Sequence, residues 1–237
     1  MSFLLAAVLS TFLSGETLDY DLKWLKITGG TARMTIAAQN DDRLRITSVA
    51  RSSPSFSRIF KVRDEIETLV ARNDFSTLSY IKKLDEDGDK HTETTSIDNG
   101  VASRQKKGKT KRVDVPRPVH DPISLIYHLR TLDLSPGKHH EFTVIADGKI
   151  YEVNAHVLRR ENLTTPAGTF KTVVVEPRME AGGVAREERL WIWYSDDERH
   201  LPVRIRTEVN FGAVTATLRA VSPGVRSIDP PSLKEAR

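Results

Sequence analysis

From Gly15 onward the chain alternates apolar and polar residues with a period of two: Leu18, Tyr20, Leu22 and Trp24 are interleaved with Asp19, Asp21 and Lys23. A strand with one buried face needs this spacing, whereas an amphipathic helix would repeat its apolar positions every three or four residues. The same alternation returns late in the chain. Tyr151, Val153, Ala155 and Val157 alternate with Glu152, Asn154 and His156 behind an Asp147-Gly148 turn, and Phe142, Val144 and Ala146 lie in front of it, which predicts a hairpin.

Between these points the turn residues divide the chain into short strands. Gly29-Gly30 reads as a hairpin turn and Asn40-Asp41-Asp42 as the next, flanking strands at Met34 and Ile36 and at Leu44, Ile46 and Val49. Further strands are predicted at 62–70, 78–84, 92–97, 101–105, 169–177, 189–194, 201–210 and 213–220. Pro54 breaks pairing, and Phe56, Ile59 and Phe60 suit one short helical turn. One true helix is expected: Asp121 caps it, Pro122 sits in its first turn, Ile123, Ile126, Tyr127, Leu129 and Arg130 follow at helical spacing, and Ser135-Pro136-Gly137 ends it. The absence of βαβ alternation makes the fold class all-β, with one or two short helices and an antiparallel curved sheet or barrel-like meander. One domain is expected over 16–222, followed by a loose tail over 223–237 that holds Pro223, Pro230 and Pro231.

Residues 1–15 carry no charge and contain the apolar run Phe3 to Leu9 with Thr11, Phe12 and Leu13 behind it. That is signal-like and too short to span a bilayer, so export to the periplasm or cell envelope is expected, with no transmembrane span. The chain has 36 Lys and Arg against 32 Asp and Glu, a net charge of +4. So mild an excess gives no reason to expect a nucleic-acid partner. The lack of cysteine excludes disulfides, thiolate nucleophiles and Cys-ligated zinc.

Few residues carry chemistry. Arg104, Lys106, Lys107, Lys109, Lys111 and Arg112 place six cations in nine residues, a candidate polyanion-binding strip for nucleic-acid phosphates, lipid headgroups or acidic glycans. No aromatic is interleaved to stack bases, and Gly108 suggests a solvated hairpin tip. Gly108-Lys109-Thr110 fails as a phosphate loop because Ser103 stands where glycine is required. The acidic run Asp85 to Asp89 lacks calcium-loop spacing. The seven histidines, His91, His120, His128, His139, His140, His156 and His200, show no zinc spacing. No Gly-x-Ser-x-Gly elbow places a serine nucleophile, and Glu187-Glu188 reads as ordinary surface. No catalytic residue, metal or cofactor is therefore expected.

Trp191 and Trp193 occupy one face of their strand, with Leu190, Ile192 and Tyr194 on the other. Such a strand is either central to a two-layer core or opens its aromatics to a cavity, so Trp191, Trp193 and Tyr194 are the candidate ligand contacts. In the next strand Leu201, Val203, Ile205, Thr207 and Val209 should face the core, and Arg204, Arg206 and Glu208 should face water.

Five segments taken together carry a resemblance: Glu16-Thr17-Leu18-x-Tyr20, Asp121-Pro122-Ile123-Ser124-Leu125-Ile126-Tyr127-x-Leu129-Arg130, Thr165-Pro166-Ala167-Gly168-Thr169-Phe170, Trp193-x-Ser195-Asp196-Asp197 and Leu201-Pro202-Val203-Arg204. In their order, over nearly the whole chain after Gly15, they resemble the exported bacterial family called domain of unknown function 3108. The resemblance implies an envelope protein with a signal sequence, a mostly antiparallel β fold, no established activity and no catalytic residues. The leading expectation is a non-catalytic envelope protein that binds an apolar or amphiphilic ligand, such as a lipid, or another envelope component. A polyanion-binding module and an uncharacterised hydrolase are the alternatives.

Overall fold

The first alternating run becomes β1 (Glu16–Trp24), and its Leu18 and Tyr20 are fully buried. β1 pairs antiparallel with β2 (Ile27–Ala38), and a meander continues through β3 (Arg43–Ser52), β4 (Arg63–Ala71), β5 (Thr77–Glu86), β6 (Asp89–Asp98), β7 (Val101–Lys106) and β8 (Lys109–Asp114). After the helix Pro122–Leu129 comes a second series: β9 (His139–Ala146), β10 (Lys149–Thr165), β11 (Gly168–Ala181), the two-residue β12 (Val184–Ala185) beside β11, β13 (Arg189–Ser195), β14 (Pro202–Val209) and β15 (Gly212–Ser222). The computed structural model describes residues 15–25, 27–58, 60–181, 184–185, 189–209 and 212–223. The signal-like segment before Gly15, the tail beyond Pro223, Ile59, Glu187-Glu188 and the last residue of the strand expected over 201–210 lie outside them.

β15 pairs with β1, so the two series form one antiparallel sheet that runs from β8 at one end of its path to β9 at the other. The sheet is not closed by hydrogen bonds between these ends. It curls instead, and the segment leading into the helix bridges the gap. The Thr77 amide of β5 donates to the Val119 carbonyl at 2.8 Å, and the Ile145 amide of β9 donates to the His120 carbonyl at 2.8 Å. Ile145 also packs with Ile97, Ala102, Val115 and Val119. The interior is filled by the helix: Leu125, Ile126, Tyr127 and Leu129 share one cluster with Leu18, Val70, Val175, Ile192 and Leu218. Burial of each such side chain stabilises by about 1.5–3 kcal/mol. Two interior tyrosines tie the layers, Tyr20 donating to the Pro202 carbonyl at 2.8 Å and Tyr194 to the Ile126 carbonyl at 3.0 Å.

The turn chemistry follows the sequence, with one correction. Asp87-Gly88, Asn99-Gly100, Lys107-Gly108 and Asp147-Gly148 all have both central residues at positive φ, which matches the twist of the flanking strands. Gly29-Gly30, expected as a hairpin turn, lies inside β2, and the turn comes earlier, at Leu25. The reason for glycine there is close approach: a Cβ on Gly30 would overlap the Arg51 carbonyl oxygen of β3.

Candidate functional site

The helix is held by its N-terminus. Asp121 is fully buried, and its carboxylate accepts from the Ile123 and Ser124 amides at 2.8 and 3.0 Å and from the Thr68 and Thr77 hydroxyls at 2.5 and 2.7 Å. The Ser124 hydroxyl closes the capping box by accepting from the Asp121 amide at 2.9 Å. This cap ties the helix to β4 and β5 and sets His120, just before it, against His128, near its end.

The two imidazoles stack with centroids 4.7 Å apart and planes 18° apart, and Phe142 of β9 stands edge-on to both, at 5.7 and 5.6 Å. The His120 Nδ1 lies 3.2 Å from the Phe75 carbonyl, which can only accept, so this nitrogen carries the proton. Burial pushes the His128 imidazole down to about 4, and the neighbouring His120 pushes in the same direction. Burial lowers His120 as well. At neutral pH both rings are uncharged, so they stack without charge repulsion.

Beside the pair lies a cleft of about 560 Å³, at the seam where the sheet fails to close. Pro116, Arg117 and Pro118 line one wall, and Phe142, Val153 and Asn154 line the other. Two of its lining residues have a buried polar atom without a hydrogen-bond partner: Asn154 Oδ1 and His128 Nδ1. Such atoms are rare in folded proteins, because each leaves a desolvation cost of about 1–3 kcal/mol uncompensated. Among the described residues neither imidazole is hydrogen-bonded to a hydroxyl or a carboxylate, and no group of three or more acidic or histidine side chains is placed to hold a metal. The cleft presents an aromatic wall, with two unsatisfied polar atoms buried in its lining residues.

The residues singled out in the sequence lie elsewhere. Tyr194 points into the core against the helix, away from the tryptophans of the same strand. The indole of Trp193 donates to Glu161 at 2.5 Å and lies under the Arg204 guanidinium at 5.7 Å, while Arg189 covers Trp191 at 4.4 Å. The basic strip is divided. Arg104 and Lys106 both pair with the buried Glu93, to which Lys82 adds a third cation at 3.3 Å. Burial works to raise the Glu93 carboxyl, but hydrogen bonds from Lys106 and Arg104 outweigh it and hold it at about 2. Lys107 pairs with Asp89 at 2.9 Å, and Lys109, Lys111 and Arg112 stand exposed on the edge strand β8. His120 and His128 were legible only as two scattered histidines, because it is the path of the chain through Pro116–Pro118 into the cap that stacks them. The capping motif between them was the available signal.

The fold has solved relatives. A β-barrel-like protein of domain of unknown function DUF1849 from Brucella abortus superposes with a TM-score of 0.66 at 10% identity, covering 90% of this chain and 98% of its own. A Bacteroides fragilis protein assigned to export, with a YmcC-like fold, reaches 0.34 at 11% identity over 89% of this chain and 97% of its own, too low a score to add to the argument. No curated protein shows significant sequence similarity to the chain. The family model described as protein of unknown function (DUF3108) matches residues 19–219, the span that contains both meanders, the capped helix and the histidine cleft, and the chain belongs to that family.

Proposed function

We propose that the protein is an exported, non-catalytic component of the cell envelope that binds a small amphiphilic molecule in the cleft between Pro116–Pro118 and β9–β10. The observation that carries this reading is the pair of buried, unpartnered polar atoms, Asn154 Oδ1 and His128 Nδ1, beside the aromatic wall of Phe142. A ligand with a hydrogen-bond donor next to an apolar body would satisfy the first atom and cover the ring. The sheet interior is the poorer place for a ligand, since the helix and Tyr20, Tyr194 and Val175 already fill it. Export is supported by the uncharged apolar run before Gly15. A polyanion-binding role would rest on Lys109, Lys111 and Arg112, because Arg104, Lys106 and Lys107 are engaged with Glu93 and Asp89.

Native mass spectrometry of the protein recovered from its own envelope tests the reading. A low-mass adduct should accompany the wild type and be lost from Asn154→Leu. An empty wild type, together with His128 ring resonances indifferent to a lipid extract of the same envelope, would refute it.

A further inference from the structure

We propose that the end of the sheet formed by the β1–β2 turn, the start of β15 and the 3-10 turn Phe56–Arg58 docks on an anionic phospholipid surface, independently of the cleft. Among the described residues the large hydrophobic side chains that stand exposed are Leu25, Ile27 and Val214, at 62%, 57% and 44%. They are neighbours. Trp24 pairs with Ile27 across β2 and with Val214 across β15, and the Leu25 amide donates to the Ala213 carbonyl at 2.8 Å. Scattered single hydrophobics are ordinary on a protein surface, whereas these three are contiguous at one turn.

The backbone shows that this placement is held. Leu25 has φ of 54°, in the left-handed region where branched aliphatic residues are disfavoured, and the turn nonetheless carries leucine and points it to solvent. Behind it, half-buried Trp24 meets Phe56 edge-on at 5.7 Å, and its indole nitrogen lies so near Gly212 that an added Cβ there would come within 2.9 Å. The apolar tip is thus backed by an edge-on aromatic pair.

The charge pattern selects the partner. The described residues that meet here, 22–25, 27–31, 53–58, 60–63 and 212–219, contain Lys23, Arg58, Lys61, Arg63 and Arg219 and no acidic residue, and Glu208, opposite Ala213 on β14, is paired with Arg206. Lys61 and Arg219 pair with Asp85 and Asp21, whereas Lys23 and Arg58 are exposed and form no ion pair among the described residues. Aliphatic side chains and a tryptophan at a protruding turn, ringed by cations without counter-charge, suit phosphate headgroups above hydrocarbon. An apolar protein partner would supply no anions to meet Lys23 and Arg58.

The test uses the full chain with Trp191→Phe and Trp193→Phe, which leaves Trp24 as the sole tryptophan, and vesicles of phosphatidylethanolamine and phosphatidylglycerol with brominated acyl chains. Trp24 emission should be quenched on binding, and partition should weaken several-fold when phosphatidylcholine replaces phosphatidylglycerol. Leu25→Ser/Ile27→Ser should lower partition at least about tenfold, and because both positions are exposed the fold should be unaffected. Lys23→Glu/Arg58→Glu should lose the preference for anionic lipid. Unquenched Trp24, or partition unchanged by Leu25→Ser/Ile27→Ser, would overturn the proposal. So would a concentration-dependent dimer that the same substitutions abolish and vesicles do not disturb. Asn154→Leu should leave vesicle binding intact, which separates failure of this surface from failure of the cleft.

Discussion

Acid should destabilise this protein through His128 before most of its carboxylates are titrated. The unfolded imidazole titrates near 6.5 and the folded one at about 4, so between these values the unfolded chain holds a proton that the folded chain lacks. The stability due to this group is therefore complete above about pH 6.5 and is lost as the pH falls towards 4. It amounts to about 2 kcal/mol lost by pH 5 and about 3 kcal/mol by pH 4. His120, also lowered by burial, adds to the loss in the same direction, and the stacked pair titrates as a unit. Asp64 opposes it: burial pushes that half-buried carboxyl up to about 6, so the folded state gains from acid there, by an amount that solvent screening reduces. Glu93, held at about 2, contributes its loss as the pH falls from about 4.5 towards 2. The difference between wild type and His128→Leu cancels Asp64 and Glu93. In urea titrations at pH 7.5, 5 and 4 the wild type should lose about 2 and then about 3 kcal/mol more than His128→Leu. Equal losses in the two proteins, or a His128 ring that titrates near 6.5 by NMR, would refute the reasoning.

Two further perturbations probe the fold. Glu16→Ala removes the carboxylate that meets the fully buried Arg130 guanidinium at 2.6 and 3.0 Å, and should cost about 3–5 kcal/mol in a urea titration, with Glu16→Leu/Arg130→Met recovering most of it. Val203→Asp places a charge at a fully buried position of β14 and should cost several kcal/mol, whereas Arg206→Thr loses a half-exposed pair with Glu208 and should change stability by less than about 1 kcal/mol; the reverse ranking would overturn the strand's orientation.

The fold was legible wherever a local rule decides it. Period-two alternation placed β1 and β10, Asp147-Gly148 placed the tight turn between β9 and β10, and Asp121-Pro122 placed the start of the helix, which ends at Leu129, ahead of the Ser135-Pro136-Gly137 stop. Local rules failed where a distant segment sets the constraint. Gly29-Gly30 carries turn chemistry, but it is the Arg51 backbone on the neighbouring strand that demands glycine. Arg130, which the sequence shows only as one more position at helical spacing, is bound to Glu16, more than a hundred residues away. The strand β8 was hidden because its sequence, Lys109 to Asp114, is almost wholly polar, and an exposed edge needs no apolar face. The cleft was hidden for a similar reason. His120 and His128 belong to no motif, and Asn154 occupies an ordinary outward position in an alternating strand.

The position of the cleft follows from how the sheet handles its two ends. A long antiparallel sheet leaves two rows of unpaired backbone groups, and each invites unwanted pairing unless it is blocked. β8 is blocked by charge, with Lys109, Lys111 and Arg112 exposed along it. β9 is blocked by cover: the segment through Val119 and His120 lies along it, bonded to Thr143 and Ile145, and the same segment reaches across to β5 at Thr77. Lys82 of β5 completes the crossing by pairing with Asp147 at the β9–β10 turn at 2.5 Å. A covering segment so short cannot fill the whole seam, and the part it leaves open is the cleft lined by Phe142, His128 and Asn154. Substitutions that loosen the cover should consequently act on the cleft and on stability together. Thr77→Val is the sharpest case, because it removes the hydroxyl shared by the Asp121 cap while keeping its volume. It should cost about 1–3 kcal/mol and also release the stacked histidines, raising the His128 titration towards 6.5. Loss of stability with His128 still at about 4 would show that the cap and the cleft are independent.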